Sequence, residues 1–594
     1  MPPATLPMRP IMLLFVIAAI LMSPALLAGF MGDDLMHLAL FKKGLPISPP
    51  DDASLFGLFS FMNADPSRNR ELMNLGLLPW WTYPEMKYAF WRPLSELTHG
   101  LDAALWPGNA VLMHAHSIAW YLILCSLVFR LYRHFHPQLP NRFLLAGFAL
   151  YLLDASHGFT LSWIANRNGL IAATFGLASI YAYVKAHDEN NLLLNVWSLV
   201  FLALALLAAE LGVSTIGYLG AYALFIDKRN LIRSCLSVLP HILVVALWWV
   251  TYRQLGFGAA NADAYYLDPV ASPLAFLATL GQRLIVLFGS QWGLVPAEIY
   301  GFSGSNVELA NTVLVISLAV VITTMLALFA TLKQNRVARF WLCGALFSSL
   351  PVCAALPHDR LLLFLGVGAM GVFLALMDSN PSKQSTQKLT DGLTGASSGL
   401  KRIFLVVFFV VHLVVSPLLL PVMAYSPKIW ASQLDMTPAE LRGVTNPASK
   451  QLVLFNVPMG SSMALTTWRF NAGLPVPDAI WPVNHVVSPI RIEGIDPHRL
   501  RLRKEGGFVQ NEEESVRAIA SQPFHKGDQV ELGDLRIRIL AVENNRPTEI
   551  ELTFTKALND ESLLFLSWDE ETQSYRQLEP PAPGQVLELT PGSP

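Results

Sequence analysis

Between Ile11 and Gly29 the chain carries no charged side chain. A run of this length suits the roughly 30 Å hydrocarbon core of a bilayer, which takes about 20 helical residues to cross. Lipid offers the backbone no hydrogen-bond partners, so only helices or closed barrels can span it. Similar runs recur near 109 to 129, 143 to 160, 168 to 184, 191 to 209, 211 to 226, 236 to 252, 310 to 332, 340 to 356, 361 to 377 and 403 to 424. The expected fold class is therefore mainly α, a polytopic membrane protein with about 11 transmembrane helices. A cleaved leader is the competing reading of the first run, because Arg9 precedes it and small residues follow it. The length of that run and the number of later ones favour a retained span.

Composition agrees: only 14% of residues are charged and 53% are hydrophobic, whereas soluble chains carry about 25% charged residues. A net charge of -2 gives no electrostatic footprint for nucleic acid. Cys125, Cys235, Cys343 and Cys353 all fall in apolar stretches without metal or disulfide spacing and read as small core hydrophobes.

Charge placement sets the expected orientation. Arg130, Arg133 and Arg142 cluster in one short loop, and Lys228, Arg229 and Arg233 in the next but one. Lys333, Arg336 and Arg339 follow, then Lys383, Lys388, Lys401 and Arg402, while the intervening short loops carry only Arg167 and Arg360. Basic loops stay inside, so a cytoplasmic N-terminus is expected, with a C-terminal extracytoplasmic domain.

On this reading residues 1–425 form the transmembrane domain, with outer loops at 31–108 and 253–309 and a Ser-, Lys- and Gly-rich cytoplasmic linker at 380–400. Trp80-Trp81 and the Tyr88 to Leu94 segment suit the headgroup level, on short surface helices. Pro273 to Trp292 reads as an interfacial or re-entrant helix, since a full pass there would invert the charge pattern. Residues 426–594 alternate apolar runs, such as Gln451 to Val457 and Arg536 to Val542, with Gly, Asn and Pro turns, as a β-sandwich-like domain would.

The ionisable residues expected on the outer face are the candidate site. Asp33 and Asp34 lie at the exit of the first run, where charges next to lipid are costly. Arg92, Arg167 and Arg360 could hold an anion bidentately, and a carboxylate could act as general base toward an acceptor hydroxyl. The plainer readings are helix capping for Asp33 and Asp34, headgroup anchoring for Arg92 and Arg360, an ion pair with Asp154 for Arg167, and a structural hydrogen bond for Glu210. His99, His114 and His116 have no partner at zinc spacing and read as satisfied interfacial histidines. No Gly-rich phosphate loop is present.

In order along the chain, Gly32-Asp33-Asp34, then Trp91-Arg92-Pro93-Leu94 with Leu101-Asp102, Trp106, Gly108-Asn109 and His114, then Trp163 to Arg167, Ala209-Glu210 and His358-Asp359-Arg360 resemble segments of the GT-C superfamily of integral-membrane glycosyltransferases. The likeness is strongest to the bacterial protein O-mannosyltransferase and aminoarabinose transferase group, and covers roughly residues 10 to 370. The resemblance implies a polyprenyl-phosphate sugar donor, membrane lipid as its medium, and an envelope acceptor outside the membrane. It implies Asp33 as catalytic base with Asp34 beside it, Arg92, Arg167 and Arg360 on the donor phosphate, and His114, Glu210, His358 and Asp359 in substrate-binding or supporting places. It assigns no cofactor and leaves a divalent metal open. The chain departs from the pattern in its Asp-Asp pair, in Ala209 where a Lys often stands, and in a β domain where relatives carry helical repeats. A lipid or polysaccharide transporter and a noncatalytic envelope assembly protein are the competing classes.

Overall fold

The computed structural model describes residues 8–42, 44–45, 57–263, 265–303, 306–378, 396–433, 447–458, 461–484, 489–510, 516–569 and 574–590. Most of the linker expected at 380–400 lies outside them, and from Ala396 the described chain is helical. Contacts divide the chain into two compact units, one of Met1–Phe30, Trp91–Phe257 and Asp268–Ile429, the other of Met31–Phe90, Gly258–Leu267 and Trp430–Pro594. This differs from the continuous division expected at residue 425, because most of the first outer loop groups with the C-terminal segment.

The first unit is helical. Met8–Leu27, Ala110–Phe135, Ile164–Glu189, Leu231–Gln254, Pro273–Gly293, Val307–Gln334, Asp359–Met377 and Lys401–Ile429 are each long and apolar enough to cross a membrane. Asn141–Leu152 and Leu192–Ala208 are shorter apolar helices. Large apolar side chains such as Leu13, Leu247, Val315 and Phe329 are exposed on them, which suits lipid and would be costly in water. This is a multi-pass membrane protein. The helix Leu362–Met377 is buried from Leu362 through Ala375, as a helix that is apolar all round should be. Small residues let its neighbours approach: a Cβ at Gly368 would lie 2.2 Å from the Trp341 carbonyl oxygen.

Two of the expected spans are broken. The one near 143 to 160 is Asn141–Leu152 followed by a corner at Asp154 and the short helix His157–Leu161. The one near 211 to 226 is a 3₁₀ turn, Glu210–Ser214, leading into Thr215–Phe225. In both places a carboxylate sits where the helix breaks.

The second unit is built on three sheets. Strands β1 (Ser60–Asn63), β2 (Lys87–Ala89) and β3 (Gly258–Ala260) form a small antiparallel sheet from the two long loops. Strands β4 (Gln451–Phe455), β5 (Ala479–Pro482), β6 (Ile490–Asp496), β7 (Arg499–Lys504), β8 (Gln529–Leu532), β9 (Leu535–Glu543), β10 (Arg546–Phe554), β11 (Leu563–Asp569), β12 (Ser574–Leu578) and β13 (Val586–Leu589) form the other two. One has the order β13-β6-β7-β10-β9-β8, the other β12-β11-β4-β5. In the six-stranded sheet Ile490, Ile492, Leu500, Leu502, Ile537, Ile539, Ile550 and Leu552 face a common core, alternating with charged residues on the open side. The sandwich expectation needs one correction. In the four-stranded sheet β11, β4 and β5 are parallel, and the crossover between β4 and β5 is the helix Ser461–Asn471, as parallel pairing requires.

Trp80 and Trp81 do not lie at a headgroup level. They are 1% and 0% exposed, in the same core as Val453, Phe455 and Ile537. The Trp80 indole donates to the Val483 carbonyl at 3.1 Å, and Arg517 donates to the Trp81 carbonyl at 2.9 Å. Gly76, at φ +69°, runs so close to Ile480 that a Cβ would lie 2.7 Å from its Cγ2. That combination of left-handed backbone and close approach admits only glycine.

Pro273–Gly293, expected as an interfacial or re-entrant helix, is itself long and apolar enough to cross a membrane. Its Gly289 packs on Ser317 and its Gly293 on Val320, so it runs in the same direction as the following helix where they touch.

Candidate functional site

In the helical unit three groups of ionisable residues stand out. The first is built around Arg167, which opens the helix Arg167–Glu189 and is 0% exposed. Its guanidinium pairs with Asp102, donates to Ser117 Oγ at 2.9 Å and to the Met113 carbonyl at 2.7 Å, and lies 3.2 Å from His116 Nδ1. Asp102 also holds His116 Nδ1 at 2.7 Å, and the Trp120 indole donates to His116 Nε2 at 3.1 Å. Arg167 is thus engaged with protein acceptors and offers no face to a phosphate, which corrects that expectation. Its partner is Asp102, not Asp154. His116 has a carboxylate partner after all. His114 is buried, with Nε2 2.7 Å from the Gly29 carbonyl, so it ties the end of the first apolar helix to Ala110–Phe135.

The second group is Arg92 and Glu210, paired at 2.8 Å with side chains 16% and 30% exposed. Arg92 precedes the helix Pro93–Leu105, whose Pro93 fixes its first turn. Ser95 Oγ donates to the Ala208 carbonyl at 2.8 Å, holding that turn beside Glu210. This pair is partly open, and an arginine of this kind can exchange a carboxylate for a phosphate.

The third group is the segment Pro357 to Leu361. Arg360 is half-buried, its guanidinium 5.1 Å above the Trp163 ring, and among the described residues no ion pair of Arg360 is found. Its backbone is fixed by a reciprocal clamp. The Asp359 carboxylate accepts from Ser290 Oγ at 2.7 Å and from the Ala297 amide at 2.9 Å. In return Glu298 Oε1 accepts from the Asp359 amide at 3.1 Å and lies 2.8 Å from His358 Nδ1. Burial raises the Glu298 carboxyl above its usual range, and burial with the nearby Arg360 pushes His358 down to about 3. His358 and Asp359 therefore support the Arg360 segment.

Asp154 was read only as a partner for Arg167. It is 0% exposed, and accepts from Gln291 Nε2 at 2.6 Å and from the Ser156 amide at 3.0 Å. Glu298, Asp102 and Gln291 were not singled out as site residues. No sequence spacing marks them, because each meets its partner across a distance of 60 residues or more along the chain.

In the second unit Asp33 and Asp34 open the helix Asp33–Lys42. Asp34 is 2% exposed and its Oδ2 accepts from the Met31 amide at 3.1 Å, while its own amide donates to the Met31 carbonyl at 2.9 Å. This reciprocal arrangement works as a capping box does. Asp33 is half-exposed, next to Gly32 at φ +49°. Asp34 is thus the structural member of the pair, and Asp33 the one with access to solvent. Among the described residues no three His, Cys, Asp or Glu side chains converge to hold a metal ion. Asp33 and Asp34 alone do not make a complete ligand set.

No protein-family model matches the sequence, and no curated protein matches it. Among solved structures the chain is similar to ArnT from Cupriavidus metallidurans bound to undecaprenyl phosphate, at 13% identity and a TM-score of 0.35 over 78% of this chain and 85% of that one. It is also similar to the archaeal oligosaccharyltransferase AglB from Archaeoglobus fulgidus, in complex with an inhibitory peptide and a dolichol-phosphate, at 13% identity and a TM-score of 0.35 over 79% of this chain and 64% of that one. A third is the arabinofuranosyltransferase AftD from Mycobacteria, at 11% identity and a TM-score of 0.40 over 93% of this chain and 40% of that one. Likeness of this degree gives no residue a role.

Proposed function

We propose that the chain is a membrane glycosyltransferase of the GT-C kind, moving a sugar from a polyprenyl-phosphate donor to an acceptor hydroxyl on the outer face of the cytoplasmic membrane. The observation that carries this is Arg360. A guanidinium held by its backbone clamp and by the Trp163 ring, with its fork outside any ion pair among the described residues, suits a phosphate better than a packing role. It lies in a segment of the ordered motif set that resembles the family.

In the proposed reaction the Asp33 carboxylate accepts the proton of the acceptor hydroxyl as that oxygen attacks the anomeric carbon. The bond from that carbon to the phosphate oxygen breaks, and the electron pair leaves with the lipid phosphate. Attack opposite the leaving group inverts the anomeric centre. Arg360, and Arg92 released from Glu210, neutralise the departing charge; Asp34 keeps the helix start that presents Asp33.

The test is turnover in membranes. Asp33→Asn should accumulate normally and fail to release polyprenyl phosphate from a radiolabelled donor. Normal release would remove Asp33 from the base role, and a transporter would move the lipid-linked sugar without releasing the phosphate at all.

A further inference from the structure

We propose that Glu298 sets the affinity of Arg360 for a lipid-linked phosphate: neutral, it leaves the guanidinium to the ligand, and ionised, it competes for it. This rests on the donor reading above and adds a residue that the sequence motifs do not contain.

The geometry behind it is the contact at 2.8 Å between Glu298 Oε1 and His358 Nδ1. His358 Nδ1 also lies 3.2 Å from the Arg360 amide, on the acceptor side of that N–H. A ring nitrogen cannot donate to Glu298 and accept from Arg360 at once. One proton therefore decides the arrangement. If it sits on Glu298, the carboxyl donates to Nδ1, which also faces the Arg360 amide, and the pair is neutral. If that proton is lost to solvent, the ring carries its own proton on Nδ1 instead of Nε2 and donates it to a carboxylate, and the pair has a negative charge beside Arg360. The second Glu298 oxygen favours the first arrangement: Oε2 is buried without a hydrogen-bond partner, an expensive place for a full charge. Burial moves both groups in the matching direction, Glu298 up and His358 down.

The charged and titratable groups facing Glu298 are few. Among the described residues Asp359 brings a second carboxyl, Arg360 a positive charge, and His358 the ring nitrogen in contact with Glu298; Ser290 and the Ala297 amide bind Asp359 and carry no charge. Ionising Glu298 sets a buried carboxylate against the Arg360 guanidinium and weakens its hold on another anion. Since Glu298 acts through His358 and Arg360, it is a positioning residue.

The experiment measures binding of a polyprenyl phosphodiester carrying a neutral hexose to the full-length protein in nanodiscs, from pH 5.5 to 8.5. A phosphodiester keeps one charge throughout that range, so the ligand does not titrate. The wild type should lose affinity as pH rises, by roughly fivefold or more, the lower end of ordinary coupling between two sites. Glu298→Gln should bind tightly at every pH, and His358→Asn, which leaves Glu298 able to ionise, should keep a pH dependence with a moved midpoint. A flat wild-type profile, or a pH dependence that persists in Glu298→Gln, would overturn this inference and leave the donor reading in place. Absence of binding at every pH in the wild type and both variants would overturn the two together.

Discussion

The guanidinium of Arg167 and the carboxylate of Asp102 form an ion pair that is closed to solvent on both sides, at 0% and 1% side-chain exposure. A buried pair of this kind stabilises little relative to apolar residues, but removing one partner strands the other charge, at a cost of about 3–5 kcal/mol. Arg167→Ala should therefore lower the amount of folded protein and its thermal stability in detergent. Asp102→Leu combined with Arg167→Leu should recover much of that loss. An Arg167→Ala protein that folds normally and only loses donor affinity would restore the phosphate role.

The two neighbouring carboxylates at the first helix of the second unit should separate by phenotype. Asp34→Ala removes the acceptor of the Met31 amide and should cost about 1 kcal/mol, as loss of a helix cap does, read as a shift in unfolding midpoint. Asp33→Asn should leave that midpoint in place and lower release of polyprenyl phosphate by about 10²- to 10⁴-fold, the range of a lost general base.

Truncation after residue 425 should leave the long loop of residues 31–90 without its fold. It would strip Trp80, Trp81 and Met73 of the core they share with β4, β6, β7, β9 and β10. Trp80→Ala in the full-length chain is the gentler version. It should cost about 3–5 kcal/mol, and limited proteolysis should then cut the second unit readily. Unchanged protease resistance would mean that the long loop is only loosely docked on those strands.

Asp227 supplies a pH prediction outside the membrane. Burial alone would raise its carboxyl, but the Arg229 side chain, donating from Nε at 2.9 Å, and the Arg229 amide at 3.0 Å hold it down to about 2. Because the folded value lies below the ordinary 3.8, its stabilisation is present above that pH and is lost as pH falls toward the folded value. Wild type and Asp227→Asn should therefore differ most in unfolding midpoint at pH 6 and converge near pH 2. A difference that stays constant with pH would assign the effect to packing.

A single methyl group tests the centre of the helical unit. At Gly368 an added Cβ meets the Trp341 carbonyl oxygen at 2.2 Å and the Tyr218 hydroxyl at 2.7 Å. Backbone on one side and a buried tyrosine on the other cannot both yield, so Gly368→Ala should cost about 1–3 kcal/mol, seen in thermal unfolding. The same change at Gly220, where nothing lies within 4 Å, should be silent.

The membrane class, the places of the helices and the strands of the C-terminal segment follow from the sequence itself. Apolar runs of bilayer length and period-two alternation are local properties, and lipid leaves the backbone few ways to satisfy its polar groups. The expected strand Arg536 to Val542 lies within β9, Leu535–Glu543, and the first uncharged run is the helix Met8–Leu27 with its turn. Tertiary structure alone decided what the charges and tryptophans do. Trp80 and Trp81 suit a headgroup belt by type, yet strands more than 370 residues further on cover them. Arg167 looked like a ligand for an anion until Asp102, 65 residues earlier, came to lie beside it. Arg360 has no ion pair among the described residues, while Glu298 holds the amide of the neighbouring Asp359, 61 residues further on, and Trp163 lies beneath the guanidinium. Local patterning fixes which backbone conformation a stretch can adopt, whereas the partner of a buried charge is set by which distant segment packs against it.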